Sequence, residues 1–327
     1  MRYRILPSDN STAGVKFVDH FTFKIGHTVP LYEVSSVAAL NQLIGYAKYI
    51  NKDYGNVYYR GVKGLFDSIS PSIMRNRQSG EAYDLKQLLT NVSNHQYLRK
   101  TLKLIKTIRP INEDDHVYNA LVTRTNRNVI EAMLQHYAGY TRFIDVVNNH
   151  WIALWMGLHE FRICGEGRSF IACHKRTLDT GDIINFINSG KNNPDWLKDN
   201  LYEYIILIAM PHFKCTPMMG VYESSNLVEV DLRKALPSFF VRPHAQHALA
   251  IRKREAGQPS PNASLFDMAD QSIGIIRVRV DLADQWLGNG ILVSKENFFP
   301  LPSVDQGYNT LLKNELFVGE FEIKKYF

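Results

Sequence analysis

The sequence predicts an α+β fold, with a helix-rich N-terminal half and a mixed or antiparallel sheet built mainly from the C-terminal half. Apolar residues recur at helical spacing between residues 36 and 162. Runs rich in Ile and Val cluster later, at 169–173, 204–210, 227–230, 273–280 and 316–323. One early strand, Val57-Tyr58-Tyr59, breaks this segregation, and no internal repeat or low-complexity stretch is present.

Taken in order, residues 1–34 lack a clear period and read as an irregular lead-in with a short strand. Ser35-Ser36 then precedes Val37, Leu40, Leu43, Ile44 and Ala47, a hydroxyl N-cap followed by helical spacing, so a helix is expected over 36–50. Turn chemistry at 51–56 leads into the Val57 strand, expected to stop at Arg60-Gly61. The stretch 81–107 carries Leu85, Leu88, Leu89, Leu98, Leu102 and Ile105 at helical spacing and is closed by Pro110. A helix over 115–137 follows, its acidic start at Glu113-Asp114-Asp115 favourable against the helix dipole. A loop at 136–142 precedes a helix over 148–162 that is apolar nearly all round and hence buried. Beyond it the strands alternate with helical segments near 181–189 and 194–201.

Hydrophobic residues make up 45% of the 327 and charged residues 21%, a globular composition with ample material for a core. Three scattered cysteines, Cys164, Cys173 and Cys215, give neither a disulfide framework nor a thiolate zinc site, which points to a reducing cytoplasm. The start MRYRILPSDN lacks the apolar run of a signal peptide, and no apolar stretch approaches the ~20 residues that span a bilayer. The formal charge is +6, with basic residues gathered at Arg99, Lys100, Lys103, Lys106 and Arg109 and again at Arg252-Lys253-Arg254. Such stretches suit a nucleotide or nucleic-acid partner, and equally a solvated helix face. Glycine-rich phosphate loops, HExxH and GxSxG are all absent.

Four segments concentrate polar chemistry. In the first, Tyr59-Arg60-Gly61, the guanidinium suits a bidentate grip on phosphate or carboxylate, or pairing with an internal Asp, and glycine permits close approach of a backbone or ligand. The second gathers Gln135, His136, Thr141, Arg142 and Asp145. Arg142 and Asp145 are near enough in sequence to pair, Asp145 is a candidate helix cap, and His136 is a general base or a hydrogen-bonded orienter. Arg242, His244, Gln246 and His247 form the third, with no further ligand at metal-binding spacing. Asp305, behind Pro300-Leu301-Pro302, belongs to the fourth.

In this order the segments make the chain similar to the FRG-domain family. Tyr59-Arg60-Gly61 resembles its aromatic-Arg-Gly motif, and Ile69-Ser70-Pro71-Ser72 with Arg75 resembles the segment that follows it. Gln135-His136-Tyr137 and Thr141-Arg142-Phe143-Ile144-Asp145 resemble its Gln-His-Tyr-Gly…Thr-Arg-Leu-Leu-Asp-Trp block, with Val146 in place of the closing aromatic. Arg242, Ala245 and Gln246, and then Phe298–Gly307, resemble its later elements. The resemblance implies one FRG-like domain over 35–327, in bacterial or phage proteins of defence or toxin settings.

With it comes a residue set. Arg60, His136, Arg142 and Asp145 are expected to be catalytic, and Tyr59, Gly61, Ser70, Thr141, Gln246 and Asp305 to contact ligand; no metal is expected. The strand-end Tyr-Arg-Gly also looks like the first-strand motif of arginine-class ADP-ribosyltransferases. That likeness implies an NAD-consuming activity in which Ser68 or Ser70 braces the fold and Glu315, Glu320 or Glu322 supplies a late acid. The expectation is therefore an enzyme acting on a nucleotide-type substrate, with NAD as substrate rather than resident cofactor. The alternatives are a nucleic-acid-binding or sensing module without turnover, and a metal-independent nuclease using His136 with Asp145.

Overall fold

Strands begin early in the chain. The computed structural model describes residues 2–9, 12–71, 101–108, 115–123, 127–137, 141–164, 170–177, 200–254, 266–291, 293–301 and 303–313. Where residues 1–34 are expected to be irregular with one short strand, two strands, β1 (Val15–Thr22) and β2 (Thr28–Val34), form an antiparallel pair. The sequence hides β2 because both its faces are covered: Tyr32 and Val34 join one core cluster, Val29 and Leu31 another. A strand buried on both sides needs no polar alternation. α1 (Val37–Asn51) forms as expected, with the Ser36 hydroxyl accepting from the Ala39 amide at 3.1 Å.

β3 (Gly55–Val62) corrects the expected stop at Arg60-Gly61, because the strand runs through both residues. The single helix expected over 115–137 is instead α2 (His116–Thr123) and α3 (Arg127–His136), with 124–126 outside the described residues. Asp115 opens α2, accepting from the Val117 and Tyr118 amides. β4 (Ile144–Val147) and α4 (His150–Leu158) follow. The cap of α4 is Asn149, which accepts from the Trp151 amide at 2.9 Å, and Asp145 lies within the strand instead. α4 stops four residues short of the expected end, where the chain turns into β5 (His159–Cys164) and pairs with β6 (Phe170–Lys175) in a separate two-stranded sheet.

The later elements are β7 (Tyr202–Pro211), β8 (Lys214–Cys215), β9 (Val221–Glu223), β10 (Leu227–Asp231), α5 (Leu232–Ala235), α6 (Val241–Ala245), β11 (Ala248–Lys253), β12 (Ser272–Arg279), α7 (Val280–Trp286), α8 (Lys295–Phe298) and α9 (Gln306–Lys313). Ten strands make one sheet in the order β1-β2-β12-β7-β3-β4-β11-β10-β9-β8, mostly antiparallel, with β12 parallel to β2. The α+β class holds, but the segregation does not. Four of these strands, β1 to β4, come from the first half, and five described helices follow residue 231. Those helices have four to eight residues, too few to show a helical period in the sequence. Residues 101–105 are helical, as expected there; the rest of 81–107 up to residue 100, the helix at 181–189, nearly all of that at 194–201 and the strand at 316–323 lie outside the described residues.

Register places the site. Leu207, Tyr59, Val147 and Ala248 are successive cross-strand partners and so share one face. On that face α1, α4 and α7 cover one cluster, with Leu40, Trp155 and Ala283. Helices α3 and α5 cover a second, with Ile130, Met133 and Leu232. Asp145, paired with Ala250, lies on the same face where the two meet. The opposite face carries a third cluster that includes Tyr58, Val146, Leu249 and Ile69.

Candidate functional site

The last turn of α3 delivers Gln135 and His136 toward β4, and the following segment brings Thr141 and Arg142 back alongside them. Thr141 donates its hydroxyl to Gln135 Oε1 at 2.6 Å, and Gln135 Nε2 donates to Asp145 Oδ2 at 3.0 Å. His136 Nδ1 stands 3.7 Å from Asp145 Oδ1. The His136 side chain is 4% exposed and that of Asp145 30%, but Asp145 Oδ1, the oxygen facing His136, is itself buried and without a hydrogen-bond partner. His136 Nε2 is buried and has no hydrogen-bond partner. Burial opposes ionisation of Asp145, but His136, the Gln135 amide and the Arg60 guanidinium outweigh it and hold its pKa below the usual carboxylate value.

Arg60 is partly buried, and its Nη1 donates to the Asp145 backbone carbonyl at 2.6 Å. β3 and β4 share the single pair Tyr59↔Val147, and Arg60 supplies a donor beyond the end of that short ladder. Of the two readings open for Arg60, the observed contact is an internal one, made to the backbone of an Asp. Gly61 has a packing role, since a Cβ there would lie 1.8 Å from the Ala153 carbonyl oxygen of α4. Tyr59 is fully buried, with its ring edge-on to His150 at 5.8 Å and Lys48 Nζ 5.6 Å from its centroid.

Arg142 meets Glu131, where the sequence suggested Asp145. Its Nε and backbone amide donate to Glu131 Oε1 at 3.0 and 2.9 Å, and its Nη2 to Oε2 at 2.6 Å. Both residues are buried; burial opposes the Glu131 charge, yet the guanidinium holds its pKa below the ordinary value. Sequence reasoning missed Glu131. The available signal was one acid inside the buried run Val129–Leu134, four residues before Gln135 and hence on its helix face.

The other expected residues stand apart from this network. Asp305 is fully buried and accepts from Tyr137 Oη at 2.6 Å, the Arg242 amide at 3.0 Å and the Tyr308 amide at 2.8 Å. It ties α9 to the loop after α3, next door to His136, whose ring lies edge-on to Tyr137 at 5.7 Å. The Arg242 guanidinium packs over Phe299 and Tyr308 at 3.9 and 4.4 Å. Gln246 donates to the Phe298 carbonyl. Ser70 follows Ile69, which packs in the cluster on the opposite sheet face and whose amide is held by Asp267. Glu315, Glu320 and Glu322 lie outside the described residues, as do Ser72 and Arg75. Among the described residues no group of three or more His, Cys, Asp or Glu is placed to hold a metal, and no helix is long and apolar enough to cross a membrane.

No curated protein and no solved structure matches the chain. The FRG domain family model matches residues 55–162, which begin with β3 and include Gln135, His136, Thr141 and Asp145; the chain carries an FRG domain.

Proposed function

We propose that this FRG domain is an acid–base enzyme acting on a nucleotide-type substrate, NAD included, in a bacterial or phage defence or toxin setting in the cytoplasm. The observation that carries the reading is the buried His136 Nε2, which lacks a hydrogen-bond partner while Nδ1 faces a carboxylate held ionised. An unsatisfied buried polar atom costs ~1–3 kcal/mol, and a catalytic role is one physical reason for a fold to keep one. In the proposed step Nε2 takes a proton from a water or hydroxyl, whose oxygen attacks phosphorus or the anomeric carbon. The bond to the leaving group breaks; an oxygen leaving group at phosphorus takes the proton back from His136, whereas nicotinamide leaves the anomeric carbon neutral and the proton passes from His136 to solvent. Asp145 orients the imidazole and stabilises its charged form, while the positive charge of Arg60 and the net +6 favour an anionic substrate.

The test is product detection by mass spectrometry after incubation with NAD, nucleoside triphosphates and short RNA. His136→Ala is expected to lower turnover by about 10²–10⁴-fold with the fold retained. Absence of product from all three classes, or undiminished turnover by the folded variant, overturns the proposal.

A specific observation also favours nucleic acid as the substrate or ligand. Tyr46 and Tyr49 of α1 are 41% and 65% exposed, and Lys52 Nζ lies 4.8 Å from the Tyr49 ring centroid. Exposed aromatics beside lysines suit base stacking with phosphate contact. The logarithm of the affinity for single-stranded RNA is then expected to fall linearly with log salt, and binding to weaken by about 1–3 kcal/mol for Tyr49→Ala. Salt-independent binding counts against this surface.

A further inference from the structure

We propose that Thr141 and Gln135 are positioning residues, a one-way hydrogen-bond relay that fixes the Asp145 carboxylate and, through it, the tautomer of His136. The inference rests on the proposed role of His136 as proton acceptor and adds what sets it in that state. The relay starts at a backbone group that has no choice of direction, the Phe143 amide, which donates to Thr141 Oγ1 at 3.2 Å. The Thr141 hydroxyl donates to Gln135 Oε1 at 2.6 Å, consistent with the carboxylate at the far end, which can only accept and so draws the amide nitrogen. Gln135 Nε2 accordingly faces Asp145 Oδ2, 3.0 Å away, as donor to acceptor. A flipped Gln135 would set its carbonyl oxygen against the carboxylate, lone pair to lone pair.

With Oδ2 engaged, Oδ1 is the oxygen turned to His136 Nδ1, at 3.7 Å. A carboxylate oxygen facing Nδ1 favours the tautomer protonated there, which leaves Nε2 with its lone pair. Nε2 is the nitrogen that the fold leaves buried and without a partner. The three hydrogen bonds thus point the same way, from a backbone N–H to the Asp145 carboxylate, whose Oδ1, buried and without a hydrogen-bond partner, faces Nδ1 as an ion-pair contact. Thr141 and Asp145 sit on opposite sides of Gln135, so Thr141 acts on His136 through two intervening side chains and needs no contact with substrate.

The experiment reads the tautomer directly, by long-range ¹H–¹⁵N correlation of the histidine rings in the full chain, with His136 assigned by the signals that His136→Gln removes. In the unaltered protein Nδ1 is expected at the protonated, pyrrole-type position and Nε2 at the pyridine-type position. Thr141→Val is expected to shift both toward the tautomer-averaged value, and Thr141→Ser to restore the original positions. Should Thr141→Val not fold, Gln135→Leu carries the same expected shift. A His136 protonated on Nε2 in the unaltered protein overturns the relay, and so does an unchanged tautomer in a folded Thr141→Val or Gln135→Leu. Turnover on NAD, nucleotides and RNA is measured on the same samples. The expected tautomers without turnover would sink the acid–base reading alone, whereas turnover with an unmoved tautomer would sink the relay alone.

Discussion

Arg142 shows how one side chain changes meaning once its partner is known. As an arginine near an acid and a histidine it suits a phosphate; in the fold its Nε and Nη2 make a forked contact with Glu131 in the core. Removing one member leaves the other charge buried and uncompensated, so Arg142→Ala is expected to cost about 3–5 kcal/mol in urea unfolding. The double variant Glu131→Leu with Arg142→Leu is expected to recover most of that loss, because no buried charge is left behind. Gly61 is constrained by space. Gly61→Ala forces its methyl into the Ala153 carbonyl oxygen and is expected to cost more than ~3 kcal/mol, read as a lowered unfolding midpoint.

At the scale of the element, β10 turns Glu229 and Asp231 inward, where Asp231 is bonded to Arg233 and Glu229 Oε2 has no partner. Burial raises the Glu229 pKa to about 7. The group is then protonated in the folded chain over a pH range where the unfolded chain ionises it. Its contribution to stability is full below the unfolded value of about 4.3 and is lost as pH rises through about 7. Glu229→Gln is expected to abolish that loss, worth about 3 kcal/mol, so the variant gains on the parent between pH 4.5 and 8 in chemical unfolding. Glu203 on β7 acts in the same sense, fully buried and shifted upward by burial. Asp145 and Glu131 act oppositely: their lowered values stabilise the fold above the usual carboxylate range and are lost as pH falls below it.

Across the whole molecule the FRG match and the folding unit differ. β3 lies within the matched residues 55–162, but it pairs along its full length with β7, from Gly55↔Pro211 to Val62↔Tyr204. β4 takes its longer pairing from β11, through Ala248↔Val147 to Ile251↔Ile144. A fragment of residues 55–162 would therefore expose both strand edges, lose half of one core cluster and lose well over half of the other two. It is expected to give a poorly dispersed ¹H spectrum, whereas the full chain gives a dispersed one. A folded fragment would show that the helices alone stabilise these strands.

The sequence by itself determined α1, through the Ser36 cap and the spacing of Leu40, Leu43 and Ile44, and it marked β7, β10 and β12, whose Ile and Val runs are dense enough to read alone. It also brought Gln135, His136, Thr141 and Asp145 together, because they span one helix end and the strand after it. β2 and β4 were not legible: the first is buried on both faces, and the second is four residues long. Only the tertiary structure decided which partner each charged residue takes. Arg142 went to Glu131 and Arg60 to a backbone carbonyl, and Asp305 was drawn to Tyr137 across 168 residues of chain. The physical reason is that local spacing records backbone preference and burial, whereas the partner of a buried polar group is set by which strands come to lie side by side.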